Sequence, residues 1–253
     1  MPARDQSRIS LDEAVNITRT GDLWMFRGRS GADRAIQMTT NSPVNHVGMA
    51  VVLEDLPPLM WHAELGRSLP DMWSGSHQRG VQLHDLRDAV LVWARRYGQR
   101  AWLRQLDHAV SRDMEDAVLR TIARLDGTPF PSTAQLAGRW VRGRLPTSTG
   151  HRWLPTNTAR RWLPTSTARR WLPSPGRDRP PARRPAGERT DETGLETAYC
   201  AEVVAVTYEA MDLLPAGRRP NWYDPGRFWS GDDLELSGGA RLGGEIAVEI
   251  PPR

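Results

Sequence analysis

The stretch Val44-Asn45-His46-Val47-Gly48-Met49-Ala50-Val51-Val52-Leu53 carries the clearest strand pattern in this chain of 253 residues. It is followed by Glu54-Asp55-Leu56-Pro57-Pro58, whose prolines and acidic residues are typical of a hairpin turn. The apolar stretch Leu59-Met60-Trp61-His62-Ala63-Glu64 comes next. Two apolar runs separated by a short turn predict a pair of antiparallel strands.

Each strand of this pair contains a histidine among residues of a buried type. Because side chains alternate between the two faces of a strand, His46 and Gly48 share one face. His62 and Glu64 share a face for the same reason, and pairing brings such side chains within hydrogen-bond reach. We expect His46 to face a cleft, with Gly48 leaving open space beside it. The alternative is an ordinary solvated sheet face, and the pattern alone does not decide between the two.

The only cysteine, Cys200, lies in the stretch Thr197-Ala198-Tyr199-Cys200-Ala201-Glu202-Val203-Val204. This stretch opens an amphipathic helix predicted to reach Leu214, with Thr197 as its N-cap. The N–H groups and the positive dipole end at a helix start lower the pKa of a thiol and can hold an oxyanion. Cys200 is therefore a candidate nucleophile. The residue type by itself favours a second interpretation, a buried structural cysteine.

A cysteine nucleophile needs a base, which must come from the six histidines of the chain. His46 and His62 are the candidates, because each interrupts a buried strand. A zinc site built from His62, His77 and His84 would match no common zinc spacing, so we predict no metal and no cofactor. The other four histidines are expected at the surface or in a repetitive segment: His77, His84, His108 and His151.

The remaining apolar patterns predict short strands mixed with helices. Strands are predicted at Leu23–Phe26, Gly80–Leu83, Ala89–Trp93 and, as an edge strand, Ile246–Ile250. Helices are predicted at Leu11–Thr20, at Ala32–Thr39 and in two patterns between Gln99 and Leu125.

A segment of low complexity interrupts the second half of the chain. Nine-residue units that each contain a proline beside threonine or serine begin at Gly143, and such spacing supports neither a helix nor a central strand. Residues 139–189 hold thirteen arginines against Asp178 and Glu188, so the rest of the chain is mildly acidic. We predict a disordered insertion at 143–193 within a single domain formed by 1–142 and 194–253. A charge run of this kind is more often a solvated linker than a nucleic-acid site.

The N-terminal residues, the lengths of the apolar runs and the cysteine count indicate where in the cell the protein is expected. The first sixteen residues carry five charges where a signal peptide needs an apolar core. No apolar run approaches the roughly 18 residues that span a bilayer. A single cysteine excludes an internal disulfide. These features predict a cytoplasmic protein without a transmembrane segment.

Several motifs, taken in order, resemble those of the permuted papain-like cysteine hydrolases. This is the YiiX-like group, which is related to NlpC-type peptidases and to lecithin retinol acyltransferase. The similarity spans about 21–130 and 195–230, and the long insertion and Asn45 in place of the group's common serine depart from it. The resembling motifs are Gly21-Asp22-Leu23, the stretch from Ser42 to Val51, Leu59–Glu64, Gly127-Thr128-Pro129-Phe130 and Tyr199-Cys200-Ala201-Glu202-Val203-Val204.

The resemblance implies a catalytic assignment for four residues. Cys200 would be the nucleophile and His46 the general base. His62 lies where the group often has a glutamate or histidine and would orient His46. Glu64, on the same face, is the alternative third member, and the sequence does not choose between them.

The resemblance also implies a fold and an activity. The fold class is α+β, a permuted papain-like (NlpC-related) fold with a small antiparallel sheet packed against helices. The activity is hydrolysis or acyl transfer at an amide or ester through a thioester, on a small peptide or lipid substrate and without a cofactor. The alternative is a catalytically dormant papain-like binding protein whose basic insertion contacts nucleic acid or anionic lipid, including peripheral lipid contact.

Overall fold

The apolar strand patterns of the chain form one mixed sheet of seven strands. The structure is a computed structural model that describes residues 8–29, 42–130, 199–230 and 234–252. The strand order is β1–β9–β6–β2–β3–β4–β5, and every neighbouring pair is antiparallel except β1 and β9. The strands are β1 (Arg8–Ser10), β2 (Leu23–Arg27), β3 (His46–Val51), β4 (Leu59–Glu64), β5 (Gly80–Asp85), β6 (Arg100–Arg104) and β9 (Ile246–Glu249), with β7 (Leu106–Asp107) and β8 (Arg241–Leu242) forming a separate ladder.

Polar side chains cap three of the four α-helices in the described residues. Ser10, Asp85 and Ser111 each accept a hydrogen bond from a backbone N–H in the first turn of their helix, at 3.1, 2.9 and 3.3 Å. Gly98 ends the second helix in the left-handed conformation with φ 64°, which glycine adopts without strain. The helices are α1 (Leu11–Ile17), α2 (Leu86–Tyr97), α3 (Arg112–Leu125) and α4 (Cys200–Ala210).

Apolar side chains bury both faces of the sheet. On one face α3 and α4 pack over strand residues that include Val47 and Trp61. On the other face α1 and α2 cover residues that include Phe26 and Met60. Because each fully buried side chain of this size contributes roughly 1.5–3 kcal/mol, the two clusters hold the helices against the sheet. The indole N–H of Trp61 also donates to Thr207 of α4 at 3.0 Å, which ties that helix to β4.

Two predicted elements are wrong. The segment Ala89–Trp93 lies in α2 and is not a strand, because an apolar run of five residues does not reveal the helical period that the whole helix shows. Residues 100–104 were predicted within a helical pattern but form β6, which pairs with β2 on one side and β9 on the other. Pairing on both sides outweighs the weak local preference of so short a segment.

The predicted sheet differs from the observed one at its β1 end. The strand near Ile246 was expected at an edge, but β9 lies between β1 and β6. The sheet is therefore larger than predicted and not wholly antiparallel. What the structure supports is a mixed α/β architecture with helices on both faces; the finer assignment to a papain-like fold remains a prediction.

Other predicted elements agree with the structure or fall on residues that the structure does not describe. The prediction of β4 over Leu59–Glu64 is confirmed, and α4 ends at Ala210 rather than at Leu214. The predicted helix at Ala32–Thr39 and the insertion at 143–193 lie outside the described residues. Within the part of the chain that the structure describes, no helix is both long and apolar enough to cross a bilayer.

Candidate active site

The sheet face covered by α2 carries a row of polar side chains on three adjacent strands. His62 of β4 pairs in register with Gln82 of β5, and both are fully buried. The indole of Trp93, from α2, packs against the rings of His46 and His62 with centroids 5.0 and 4.8 Å away. By alternation the members of this face are His46, Gly48, Met60, His62, Glu64, Gln82 and His84.

Three histidines on this face form a hydrogen-bonded series. His46 Nε2 lies 3.2 Å from His62 Nδ1, and His62 Nε2 lies 3.1 Å from His84 Nδ1. His84 Nε2 lies 3.1 Å from Gln82 Oε1. An amide oxygen can only accept, so Nε2 of His84 carries the proton and each ring in turn donates from Nε2. The series therefore leaves Nδ1 of His46 unprotonated and able to accept a proton.

Burial keeps all three imidazoles neutral. Loss of solvation lowers the pKa of His46 to about 3 and that of His84 to about 4. The pKa of His62 is also lowered well below its ordinary value, first by burial and then by the neighbouring histidines. At neutral pH the series contains no imidazolium, so His46 is free to accept a proton, although its lowered pKa makes it a weaker base than an exposed histidine.

Glu64 lies on the same face but does not orient His46. Its Oε1 accepts from the Ser68 hydroxyl at 3.3 Å, and its Oε2 lies 3.8 Å from His84 Nδ1. Burial raises the pKa of this carboxyl, and hydrogen bonds from Ser68 and Trp93 act in the opposite direction. Of the two alternatives for a third catalytic residue, the structure places His62 and not Glu64 against His46. Whether either residue takes part in catalysis remains a prediction.

Cys200 is the first residue of α4 and is nearly inaccessible, with 4% of its surface exposed. Its N-cap is Tyr199, and the predicted N-cap, Thr197, lies outside the described residues. The Tyr199 hydroxyl donates to the backbone carbonyl of Tyr223, and the Tyr199 N–H donates to Glu202 at 3.2 Å. These contacts hold the start of the helix in place.

The expected lowering of the Cys200 thiol pKa is wrong. Burial raises that pKa to about 12, against the smaller opposing effect of the Val47 and Ala201 N–H groups directed at the sulfur. The dipole and the free N–H groups at a helix start are outweighed because the thiol lies in an apolar cluster rather than at a wet helix end. The resting side chain is a neutral thiol.

The Cys200 thiol and the His46 imidazole lie near the same end of β3 but on opposite faces of the sheet. His46 pairs in register with Phe26 on the α2 face, whereas Cys200 belongs to the cluster on the α4 face. Pairing of β3 with β4 covers only Met49–Val51, so the strands separate before His46. The Val47 N–H, in the residue next to His46, is directed at the Cys200 sulfur at this opening. The structure records no direct hydrogen bond between Cys200 and His46 within its described residues.

Gly48 does not leave the open space that the sequence predicted. A Cβ atom placed there would lie 2.4 Å from Met60 Sδ and 3.3 Å from His62 Cβ. The glycine instead permits close packing of Met60 and His62 against β3. We expect Gly48→Ala to destabilise the fold by roughly 1–3 kcal/mol, measured by urea unfolding, because the added methyl overpacks this face.

Gly244 provides the matched control for that substitution, since a Cβ atom there meets nothing within 4 Å. Gly244→Ala should leave the unfolding midpoint unchanged. A loss below about 0.5 kcal/mol in Gly48→Ala, within the range of surface changes, would contradict the packing described.

Sequence reasoning missed the far end of the histidine series. His84 was expected at the surface but is fully buried, because β5 continues to Asp85 rather than stopping at Leu83. Gln82 and His84 share a face at a two-residue period, and extending the strand by one pair would have revealed them. His77 and His108 are exposed, as predicted, and His151 lies outside the described residues.

One group on this face has the donor atoms of a metal site. His62, Glu64 and His84 each offer one ligand atom, and these atoms lie within 4.8 Å of one another. His77, which the sequence had grouped with two of them, is not part of the set; its ring lies 3.2 Å from the Arg67 carbonyl.

Comparison with known proteins gives a partial structural likeness. No protein-family model and no curated protein matches the sequence. Among solved structures, the chain is similar to the metalloprotein yiiX from Escherichia coli O157:H7, with a TM-score of 0.33 and 23% identity over 45% of this chain and 53% of that one. The chain thus spans about half the length of that protein.

Proposed function

We propose that this protein is a cysteine hydrolase or acyltransferase that acts on an amide or ester through a thioester. The observation that carries the proposal is the Val47 N–H, in the residue next to His46, which is directed at the sulfur of Cys200. His46 itself is hydrogen-bonded to His62 at 3.2 Å. A nucleophile, a base and a residue that orients the base are the three parts that cysteine catalysis requires. In this proposal α4 supplies the nucleophile, β3 the base and β4 the residue that orients the base.

The mechanism starts from a neutral pair. His46 accepts the thiol proton at Nδ1 as the Cys200 sulfur attacks the substrate carbonyl. The proton then passes to the departing amine or alcohol, and the acyl group remains on sulfur as a thioester. Water, or an acceptor alcohol or amine, attacks the thioester while His46 takes its proton, and the thiol is restored. The N–H of Ala201, already directed at the sulfur, would stabilise the developing oxyanion.

His62 acts through His46 rather than on the substrate. By accepting the Nε2 proton of His46, it fixes the tautomer in which Nδ1 is the base. His84 and Gln82 fix the tautomer of His62 in the same way. The substrate class, a peptide amide or a lipid ester, follows from the sequence resemblance alone.

The proposal predicts a covalent adduct on Cys200. Wild type and Cys200→Ala are incubated with a library of peptides and acyl lipids, and intact mass spectrometry follows the protein. We expect an acyl mass on wild type, mapped to Cys200, and none on Cys200→Ala. Turnover of any substrate found should fall at least about a hundredfold in His46→Ala, because a general base contributes that much or more.

His77→Gln is the control for loss of a histidine, since this side chain is exposed in a nearby loop. It should keep full turnover. Full turnover by Cys200→Ala, or an adduct that maps to another residue, would overturn the proposal.

The burial of Cys200 favours a second function, a dormant site in a binding protein. A thiol with 4% of its surface exposed in an apolar cluster has the character of a core residue. On this alternative the basic segment 143–193, outside the described residues, binds nucleic acid or anionic lipid. Binding would fall steeply with salt and vanish when that segment is deleted, while no substrate acylates Cys200.

A further inference from the structure

Three donor groups on the α2 face of the sheet converge on one point. His62 and His84 are fully buried on β4 and β5, and the carboxylate of Glu64 lies beside them with 12% of its side chain exposed. We propose that His62, Glu64 and His84 bind a divalent transition-metal ion of the zinc type.

The separations of the donor atoms suit one ion. His62 Nε2 and His84 Nδ1 lie 3.1 Å apart. Two nitrogens bound to one tetrahedral Zn²⁺ at about 2.05 Å lie about 3.3 Å apart, so a small movement admits the ion between them. Glu64 Oε2 is 3.8 Å from His84 Nδ1, and all the ligand atoms lie within 4.8 Å of one another.

Glu64 supplies an independent indication of a ligand. Its Oε2 atom is buried and accepts no well-formed hydrogen bond within the described residues, although the Trp93 side chain lies near enough to lower the pKa of the carboxyl. An unsatisfied buried carboxylate oxygen costs several kcal/mol unless a cation or a donor compensates it. A metal ion between Glu64 and the two imidazoles would provide that compensation.

The groups around the three ligands complete the pattern of a metal site. A histidine that binds a metal through one nitrogen normally donates its other N–H to a neighbouring acceptor. His84 has Gln82 Oε1 at 3.1 Å from Nε2, and His62 has His46 Nε2 at 3.2 Å from Nδ1. Both ligands are therefore oriented by a partner on the side away from the ion.

The donor set selects the class of ion. Two imidazoles and one carboxylate suit zinc and its neighbours, whereas calcium and magnesium require mostly oxygen ligands. Three protein ligands leave one position of a tetrahedral ion for water. Of the three ligands only Glu64 reaches solvent, with 12% of its side chain exposed.

A bound metal ion would reverse the direction of the hydrogen bond between His46 and His62. A His62 that binds the ion through Nε2 keeps its proton on Nδ1 and donates it to His46 Nε2. His46 then carries its own proton on Nδ1 and cannot accept one from Cys200. This second part rests on the proposed cysteine chemistry: the bound ion would switch the cysteine site off.

The metal site is tested by titrating the folded, chelator-treated chain with Zn²⁺ by calorimetry and with Co²⁺ by its visible absorption. We expect one ion per chain in wild type and an affinity at least about tenfold weaker in Glu64→Gln and in His84→Asn. His77→Gln and Cys200→Ala should bind as wild type does. Circular dichroism and thermal unfolding confirm that each variant is folded. Absence of stoichiometric binding in wild type, or unchanged affinity in folded Glu64→Gln, overturns the site, and weaker binding by Cys200→Ala overturns the donor set.

The coupling is tested separately by the rate at which a substrate from the library acylates Cys200. Saturating Zn²⁺ should slow acylation at least about tenfold in wild type and have no effect in Glu64→Gln, because only wild type binds the ion and so loses its base. Zinc binding without any change in that rate overturns the coupling alone. Failure of the proposed hydrolase function appears in a different readout, the absence of an acyl adduct on Cys200 in the zinc-free protein.

Discussion

Modification of Cys200 by iodoacetamide in the zinc-free protein should accelerate about tenfold per pH unit between about pH 7 and about pH 10, without a plateau. The reactive species is the thiolate, and burial raises the pKa of this thiol to about 12. The neutral form therefore persists throughout this range, and the thiolate fraction at pH 7 is about 10⁻⁵. An ordinary thiol would be a few per cent ionised at pH 7 and would reach its plateau near pH 9.

The chain is well suited to this measurement because Cys200 is its only cysteine. The matched control is Ser74→Cys in the Cys200→Ala background, which places one thiol in an exposed loop. Its rate should level off near pH 9. A plateau near neutral pH in wild type would contradict the neutral resting state and would indicate a thiolate–imidazolium pair with His46.

A neutral resting pair has a direct consequence for catalysis. The thiolate would form only while the sulfur attacks, so proton transfer to His46 and bond formation belong to one step. Since the pKa of His46 is lowered to about 3, the base is unprotonated at any pH at which the fold is studied. Loss of turnover on mild acidification would then reflect groups other than this imidazole.

Replacing Arg104 by methionine should cost about 3–5 kcal/mol of folding free energy, a large part of the stability of a domain. The guanidinium of Arg104 donates to the backbone carbonyls of Phe228 at 2.7 Å, Gly243 at 2.5 Å and Leu242 at 3.3 Å. It also lies 4.0 Å from the carboxylate of Glu245. Methionine fills the space but leaves these acceptors without a partner. The midpoint of thermal unfolding should fall by about 10 °C.

A double substitution separates the effect of the charge of Arg104 on Glu245 from the effect of its hydrogen bonds to backbone carbonyls. Arg104→Met/Glu245→Gln should recover part of the loss, because the single variant leaves a buried carboxylate without its cation. The exposed pair of Arg87 and Asp12, at 2.9 Å, provides the contrast: Arg87→Met should cost less than about 1 kcal/mol. An Arg104→Met protein no less stable than Arg87→Met would contradict the role assigned to Arg104.

Much of the site could be predicted from sequence where the signal was local. The two-residue period placed His46 on β3 and His62 on β4, and the structure brings their rings within hydrogen-bond distance. The short turn between the strands fixed their pairing, and β4 has the predicted bounds. Periodicity and turn chemistry are properties of adjacent residues, so they can be read without the fold.

The rest depended on tertiary contacts. The burial of Cys200 by α3, β3 and β4 outweighs the helix start, and no local pattern reports how many layers cover a side chain. His84 required the last pair of β5, which is held by its neighbour β4 rather than by its own propensity. Gly48 was interpreted as open space because the position of Met60 against it follows only from the register of two strands.

The position of β9 between β1 and β6 determines when all seven strands of the sheet can pair. Among the described residues β1 pairs with β9 alone, so Ile9 has no strand partner until Val248 arrives. A contact across most of the chain length must overcome a large loop-closure entropy, which slows folding. Until β9 pairs with β6, β6 keeps one edge unpaired, and an open edge is a template for pairing with other chains. Before β9 is synthesised, the free edge of β6 is therefore the expected site of aggregation.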